Sequence, residues 1–246
     1  MNLKDKVWSF SSVKMFEQCP YSFYLKYIEE EVEQPNSFAQ SGSFVHNLLQ
    51  RAYEGELYEF ELADEFEEHY SEWVTEYFPF YNTAKSYYET SLAYLQTFEI
   101  DDRYEVVGVE KEIRTEVGGY KFVGYIDLLL RDKSDGRLII CDHKSKSTFK
   151  KDEKAEYAKQ PYIYSKAVYE EYGEFPKELW FNLYRIQKIE RIEFKEGDYV
   201  AALDWFRVAV GTILQEQEWE CKVDNWFCNN LCGFTSCPYN GRDMSV

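Results

Sequence analysis

Residues 104–146 read YEVVGVEKEIRTEVGGYKFVGYIDLLLRDKSDGRLIICDHKSK, and this stretch decides the fold. Two β-rich runs flank Gly118-Gly119, a pair that takes the positive φ angles of a tight hairpin turn at little cost. A second turn, DKSDG, leads into a third apolar run, RLIICDHKSK. Working outward, the flanks change period. Upstream, Ser11 and Ser12 are suitable caps for a short helix that Cys19-Pro20 interrupts. After a break at Pro35-Asn36, Phe44, Leu48 and Leu49 share one helical face with Val45 at its edge, and residues 60–77 and 84–100 also read as helices. Downstream, a helix is expected across 151–172, two strands near 178–194 and a long helix over 198–219. Helices, three strands, helix, two strands and helix imply an α/β or α+β layer fold centred on a sheet.

The 246 residues include 22 Tyr, 18 Phe and 6 Trp, with 45% hydrophobic content, ample for one core and too apolar for disorder. A single domain, 1–246, is expected: a mainly helical 1–100, a sheet core over 101–195, and a helix with a Cys-rich tail over 196–246. No apolar run is long enough to cross a bilayer, and the MNLKDKVWSF start lacks a secretory apolar stretch, so a cytoplasmic protein without membrane association is expected.

Two acids stand inside apolar strands, Asp127 in GYIDLLL and Asp142 in IICDHK. An ionised carboxylate buried without a partner costs several kcal/mol, and two of them on adjacent strands repel. A divalent cation resolves both problems, and oxygen-rich ligation suits Mg²⁺ or Mn²⁺. Lys144 lies two residues beyond Asp142, on the same strand face, where an ammonium can orient a water and stabilise charge on a phosphoryl transition state. Singly, each residue has an ordinary reading as a cap, turn or ion-pair partner. The triple is more specific.

An acid on one strand followed by acid-x-Lys on the next resembles the PD-(D/E)XK nuclease superfamily. The resemblance implies a restriction-endonuclease-like central mixed sheet flanked by helices. GSFVHNLL resembles the Gly-x-x-x-His helix of the RecB-like branch, which includes CRISPR-adaptation exonucleases; it implies His46 as a metal ligand beside Asp127, Asp142 and the backbone carbonyl of His143. Gln160 and Tyr164 in KQPYIYSKA match that branch's Gln-x-x-x-Tyr helix, which lines the site, although an ordinary amphipathic helix gives the same spacing. Glu110 in GVEKEI resembles an acid of the first hairpin strand, but an exposed strand glutamate is commonplace. The SFSSVKMFEQCPYSFYLKY opening resembles the branch's Ser-x-Ser start and Cys-Pro element. The resemblance extends across most of the chain and is weakest over the helical stretch at 54–100.

The same branch often carries a [4Fe–4S] cluster on one N-terminal and three tail cysteines. Here the resemblance implies Cys19, Cys228, Cys232 and Cys237. The tail spacing departs by one residue from the family pattern, which leaves Zn²⁺ open as the metal and Cys221 open as a competing ligand; four thiolates satisfy either centre. Buried structural thiols are the plainer alternative. Cys141, inside a strand, is expected in the core.

Net charge is −17, an awkward balance for a nucleic-acid protein. It is unevenly spread: residues 54–76 carry ten acids, expected to face away from substrate or to exclude duplex, while Lys144, Lys146, Lys150, Lys151, Lys154, Lys159 and Lys166 form a basic run expected to track a DNA backbone. Either run also reads as a solvated helix face. The sequence thus points to a metal-dependent deoxyribonuclease, in the family's image an exonuclease preferring single-stranded DNA or free ends, with protein partners in recombination or CRISPR adaptation. The competing reading is a catalytically silent nuclease-fold subunit that acts in binding or assembly.

Overall fold

The computed structural model describes residues 3–150 and 152–242, so Lys151 of the basic run lies outside the described residues. The opening segment forms α1 (Phe10–Gln18) and α2 (Pro20–Tyr27), with Pro20 at the first helical position, where its missing N–H costs nothing. The cap of α1 is Ser9 rather than Ser11 or Ser12: Ser9 Oγ accepts from Ser12 N, and Ser12 Oγ reciprocates on Ser9 N. Asn36 caps α3 (Ser37–Tyr53) by accepting from Ala39 N. Helices α4 (Leu62–Trp73) and α5 (Tyr81–Leu95) follow; α4 ends ahead of a connection that contains Pro79, whereas α5 starts earlier than the sequence pattern suggests, at Tyr81, and stops short of residue 100.

The sheet contains β1 (Tyr104–Val117), β2 (Tyr120–Asp132), β3 (Leu138–Lys144), β4 (Glu178–Leu183) and β5 (Lys188–Glu193), in that spatial order. All neighbours are antiparallel except β3 and β4, which run parallel. That parallel pair needs a crossover, and α6 (Glu153–Tyr172) supplies it. Helix α7 (Glu196–Gln215) packs beside α6 on the same face, and the tail adds a short α8 (Asn225–Asn230) that the sequence pattern does not announce. The result is a five-stranded mixed sheet flanked by helices.

Two apolar clusters cover opposite faces of the sheet. Leu129, Leu138, Ile140, Leu179 and Phe181 pack under α6 and α7, whereas Leu128, Leu130, Ile139, Cys141 and Trp180 point the other way. A third cluster joins Phe44, Leu48 and Leu49 of α3 to Leu62, Phe66 and Leu95 of the following helices. Burying a side chain of this size contributes roughly 1.5–3 kcal/mol, so the 54–100 stretch is fastened to α3 by its own core. Among the described residues no helix is long and apolar enough to cross a membrane.

Candidate active site

The β1–β2 hairpin turns over where its two acids meet. Ile126 packs under α6 and α7, yet Leu128, two residues on, packs on the opposite face, which regular strand alternation forbids. The ladder pairs Val109 with Leu128 and Lys111 with Ile126, leaving Glu110 and Asp127 opposite one another without a ladder pair. Glu110 has a left-handed φ of 42°, a conformation that costs a non-glycine residue roughly 1–2 kcal/mol. The break brings the Glu110 carboxylate towards Asp127 instead of leaving it on a regular ladder.

His46 of α3 completes this corner. Its Nδ1 lies 3.8 Å from Glu110 Oε1 and 3.7 Å from Asp127 Oδ2. One donor atom from each of His46, Glu110 and Asp127 lies within 4.8 Å of the others. The opposite ring nitrogen, Nε2, donates to the His143 carbonyl at 3.0 Å. That carbonyl, itself expected among the ligands, also orients the imidazole so that Nδ1 faces the two acids, as a metal-binding histidine's outer partner does. Burial works against the charged imidazole, but the nearby Glu110 carboxylate and the charges of Asp127 and Asp142 hold its pKa above the usual value.

Asp127 is pushed up to about 7 by burial first and the Asp142 carboxylate second, against His46, Lys144 and the His143 N–H, which donates to Asp127 Oδ2 at 2.7 Å. Asp142 is buried, and its Oδ2 faces Lys144 Nζ at 2.7 Å while taking no hydrogen bond of regular geometry. Lys144 is held above its ordinary pKa: burial would lower it, and the charges of Asp142 and Asp127 outweigh that. Its Nζ reaches Gln160 Oε1 at 3.4 Å, and Gln160 Nε2 donates to the Tyr164 hydroxyl at 2.9 Å. Burial raises that phenol to about 12. Gly124 makes room for the ring: a Cβ there would stand 2.5 Å from Tyr164 Cε1.

The structure therefore brings together Asp127, Asp142, Lys144, His46, Gln160 and Tyr164, and gives Glu110 a closer place than a plain strand residue would have. An open cleft of about 570 Å³ leads to them, lined by His46, Glu110 and Lys144 and also by Trp73. The stretch at 54–76 thus contributes a wall of the cleft rather than facing wholly away, and no feature of its sequence marks Trp73 for that role. The basic run is largely neutralised. Lys144, Lys146, Lys154, Lys159 and Lys166 pair with Asp142, Glu153, Glu190, Glu156 and Glu170 respectively.

Outside this cleft the cysteines of the two chain ends gather. Cys19 Sγ is 3.9 Å from Cys221 Sγ, which is 4.0 Å from Cys237 Sγ, and Ser22 Oγ is 3.9 Å from Cys232 Sγ. Cys228 is buried nearby in α8, and all are free thiols. Cys141 is buried in the sheet, away from the tail.

A mixed sheet with an acid on one strand, an acid-x-lysine on the next and a carboxylate–histidine corner defines the fold and residue pattern of an acid–lysine nuclease. The chain belongs to the PD-(D/E)XK nuclease superfamily, whose pattern residues 7–242 match. Among solved structures it is similar to a protein of Eubacterium rectale described as a candidate exonuclease, at 15% identity and a TM-score of 0.55, over 87% of this chain and 81% of that one. A comparison with curated proteins finds no match.

Proposed function

We propose that the protein is a divalent-metal-dependent deoxyribonuclease acting at this cleft. The observation that carries the reading is the convergence of two buried acids and one ammonium beside the His46–Glu110–Asp127 corner. The donor set fits a hard cation: two carboxylates and an imidazole nitrogen face one another, and Asp142 Oδ2 lacks a regular hydrogen bond. His46, Glu110, Asp127 and Asp142 would hold Mg²⁺ or Mn²⁺, which supplies Lewis acidity towards a phosphodiester and lowers the pKa of a water.

The remaining work belongs to the chain. Lys144 holds a positive charge within reach of the acids, so it can orient the attacking water and offset charge growing on the phosphate. Gln160 and Tyr164 restrain that ammonium and offer amide and hydroxyl donors towards substrate. Exonucleolytic action on free ends or single strands follows the family resemblance, as do partners in recombination or CRISPR adaptation.

The cysteine group is proposed as a metal centre that staples the two chain ends, either [4Fe–4S] or Zn²⁺. Cys19, Cys228, Cys232 and Cys237 are the ligand set implied by the family resemblance, and Cys221, within 4.0 Å of Cys237 and 3.9 Å of Cys19, competes for a place in it. Metal ligation supplies folding energy that a short polar tail cannot gain by burial.

A second reading, a silent nuclease-fold subunit, is favoured by the net charge of −17 and the paired lysines. Digestion of 5′- and 3′-labelled strands with Mg²⁺ or Mn²⁺, and with a chelator, separates the two. The nuclease reading expects metal-dependent shortening; intact strands with every metal leave the silent subunit.

A further inference from the structure

Beside the cleft the structure carries a surface that neither the acids nor the cysteines explain. Trp73, at the end of α4, stacks on Phe44 at 5.0 Å while staying 39% exposed, and it lines the cleft with His46 and Lys144. The connection from α4 to α5 then presents Tyr77 at 80%, Phe80 at 64% and Tyr81 at 80% exposure. Exposed rings gathered along one short connection mark a surface suited to binding.

This connection is held in place. Ser37 Oγ donates to Tyr77 O at 3.2 Å, and Gln40 bonds both Thr75 Oγ1, at 2.8 Å, and Glu76 N, at 2.9 Å. Phe38, which also lines the cleft, meets Phe78 edge-on at 5.0 Å. The start of this connection is therefore tied to the first turns of α3, the helix that delivers His46, and Trp73 and Phe38 both stand on the cleft wall from which it leads.

Charge offers little alternative for holding a substrate here. Five of the lysines between 144 and 166 already face carboxylates, and the neighbouring α4 contributes Asp64, Glu65, Glu67, Glu68 and Glu72. A duplex presents mainly phosphates to such a surface and hides its base faces. An unpaired strand exposes those faces, and stacking on aromatic side chains is sequence-tolerant and does not depend on net charge.

We propose that Trp73, Tyr77 and Tyr81 form a base-stacking platform that selects unpaired nucleic-acid strands for the cleft. The inference rests on the nuclease reading and its preference for single strands, and adds the residues that would recognise an unpaired strand. Binding through stacking has a shallow salt dependence, because few counterions are released.

The test compares cleavage of an ordinary single strand with that of an abasic strand of equal length, in Mn²⁺. Wild type is expected to show a KM about tenfold or more lower on the ordinary strand. Tyr77→Ala/Tyr81→Ala, which removes only exposed rings, is expected to raise that KM by about tenfold with kcat unchanged, and to leave the abasic strand unaffected. Trp73→Ala should add to the effect. Equal KM values for the two strands in wild type, or a double variant with the wild-type KM, overturn the platform while the nuclease reading stands. Cleavage of neither strand overturns the nuclease reading itself, and the platform with it.

Discussion

Replacing Asp127 by Asn should make the metal-free protein more stable at pH 8, because the wild-type acid is ionised there against its surroundings. Its pKa of about 7, against an ordinary 3.8, corresponds to a ceiling of roughly 4 kcal/mol. Part of that repulsion relaxes when a neighbour moves, so a gain on the order of 2 kcal/mol is expected. A carboxyl whose folded pKa is raised stabilises the fold below its unfolded pKa, and that stability is lost as pH climbs through about 7. The advantage of Asp127→Asn should therefore be full at pH 8, shrink below pH 7 and vanish near pH 4. Asn keeps an oxygen for the His143 N–H, so the comparison isolates charge. Urea unfolding of chelator-treated protein at pH 8 and pH 5 measures it. A variant less stable than wild type at pH 8, or one whose gain is equal at both values, would refute the reasoning.

Other outcomes follow from single contacts. Gly124→Ala should cost roughly 1–3 kcal/mol by driving a methyl into Tyr164, and should also reduce cleavage; thermal melts and rates check both. His143, buried and pressed to about 3 by burial first and by the His46 and Lys144 charges next, stays neutral when folded, so stability is lost as pH falls from about 6.5 towards 3. His143→Gln should flatten that slope, worth roughly 2 kcal/mol between pH 6.5 and 5, as read from melting temperatures at those two values. Cys221→Ala should lower bound metal in protein purified anaerobically, whereas Cys141→Ala should leave it unchanged; elemental analysis for iron and zinc decides.

The hairpin and β3 were legible because alternation, paired glycines and the DKSDG turn act locally, and the acid–acid-x-lysine spacing survives any detail of packing. The rest of the site was less legible for physical reasons. Glu110 looks like any strand glutamate until its left-handed backbone and the turned-over hairpin are seen. The lysine run reads as a cationic track because its carboxylate partners come from elsewhere in the fold, such as Glu190 of β5 for Lys154. Trp73 reads as the end of an acidic helix, and only the docking of α4 on α3 turns it into a wall of the cleft. Helix α8, with 6 residues, is too short to show a period, and its one local signal is the Asp224 cap that accepts from Phe227 N.

Metal binding and cleavage measured on one variant, Lys144→Ala, test the central claim most directly. The account predicts a Mn²⁺ titration like that of wild type, since the donor groups remain, together with loss of DNA cleavage by about 100-fold or more. Cleavage at the wild-type rate would contradict it, because the ammonium beside Asp142 would then have no part in the chemistry.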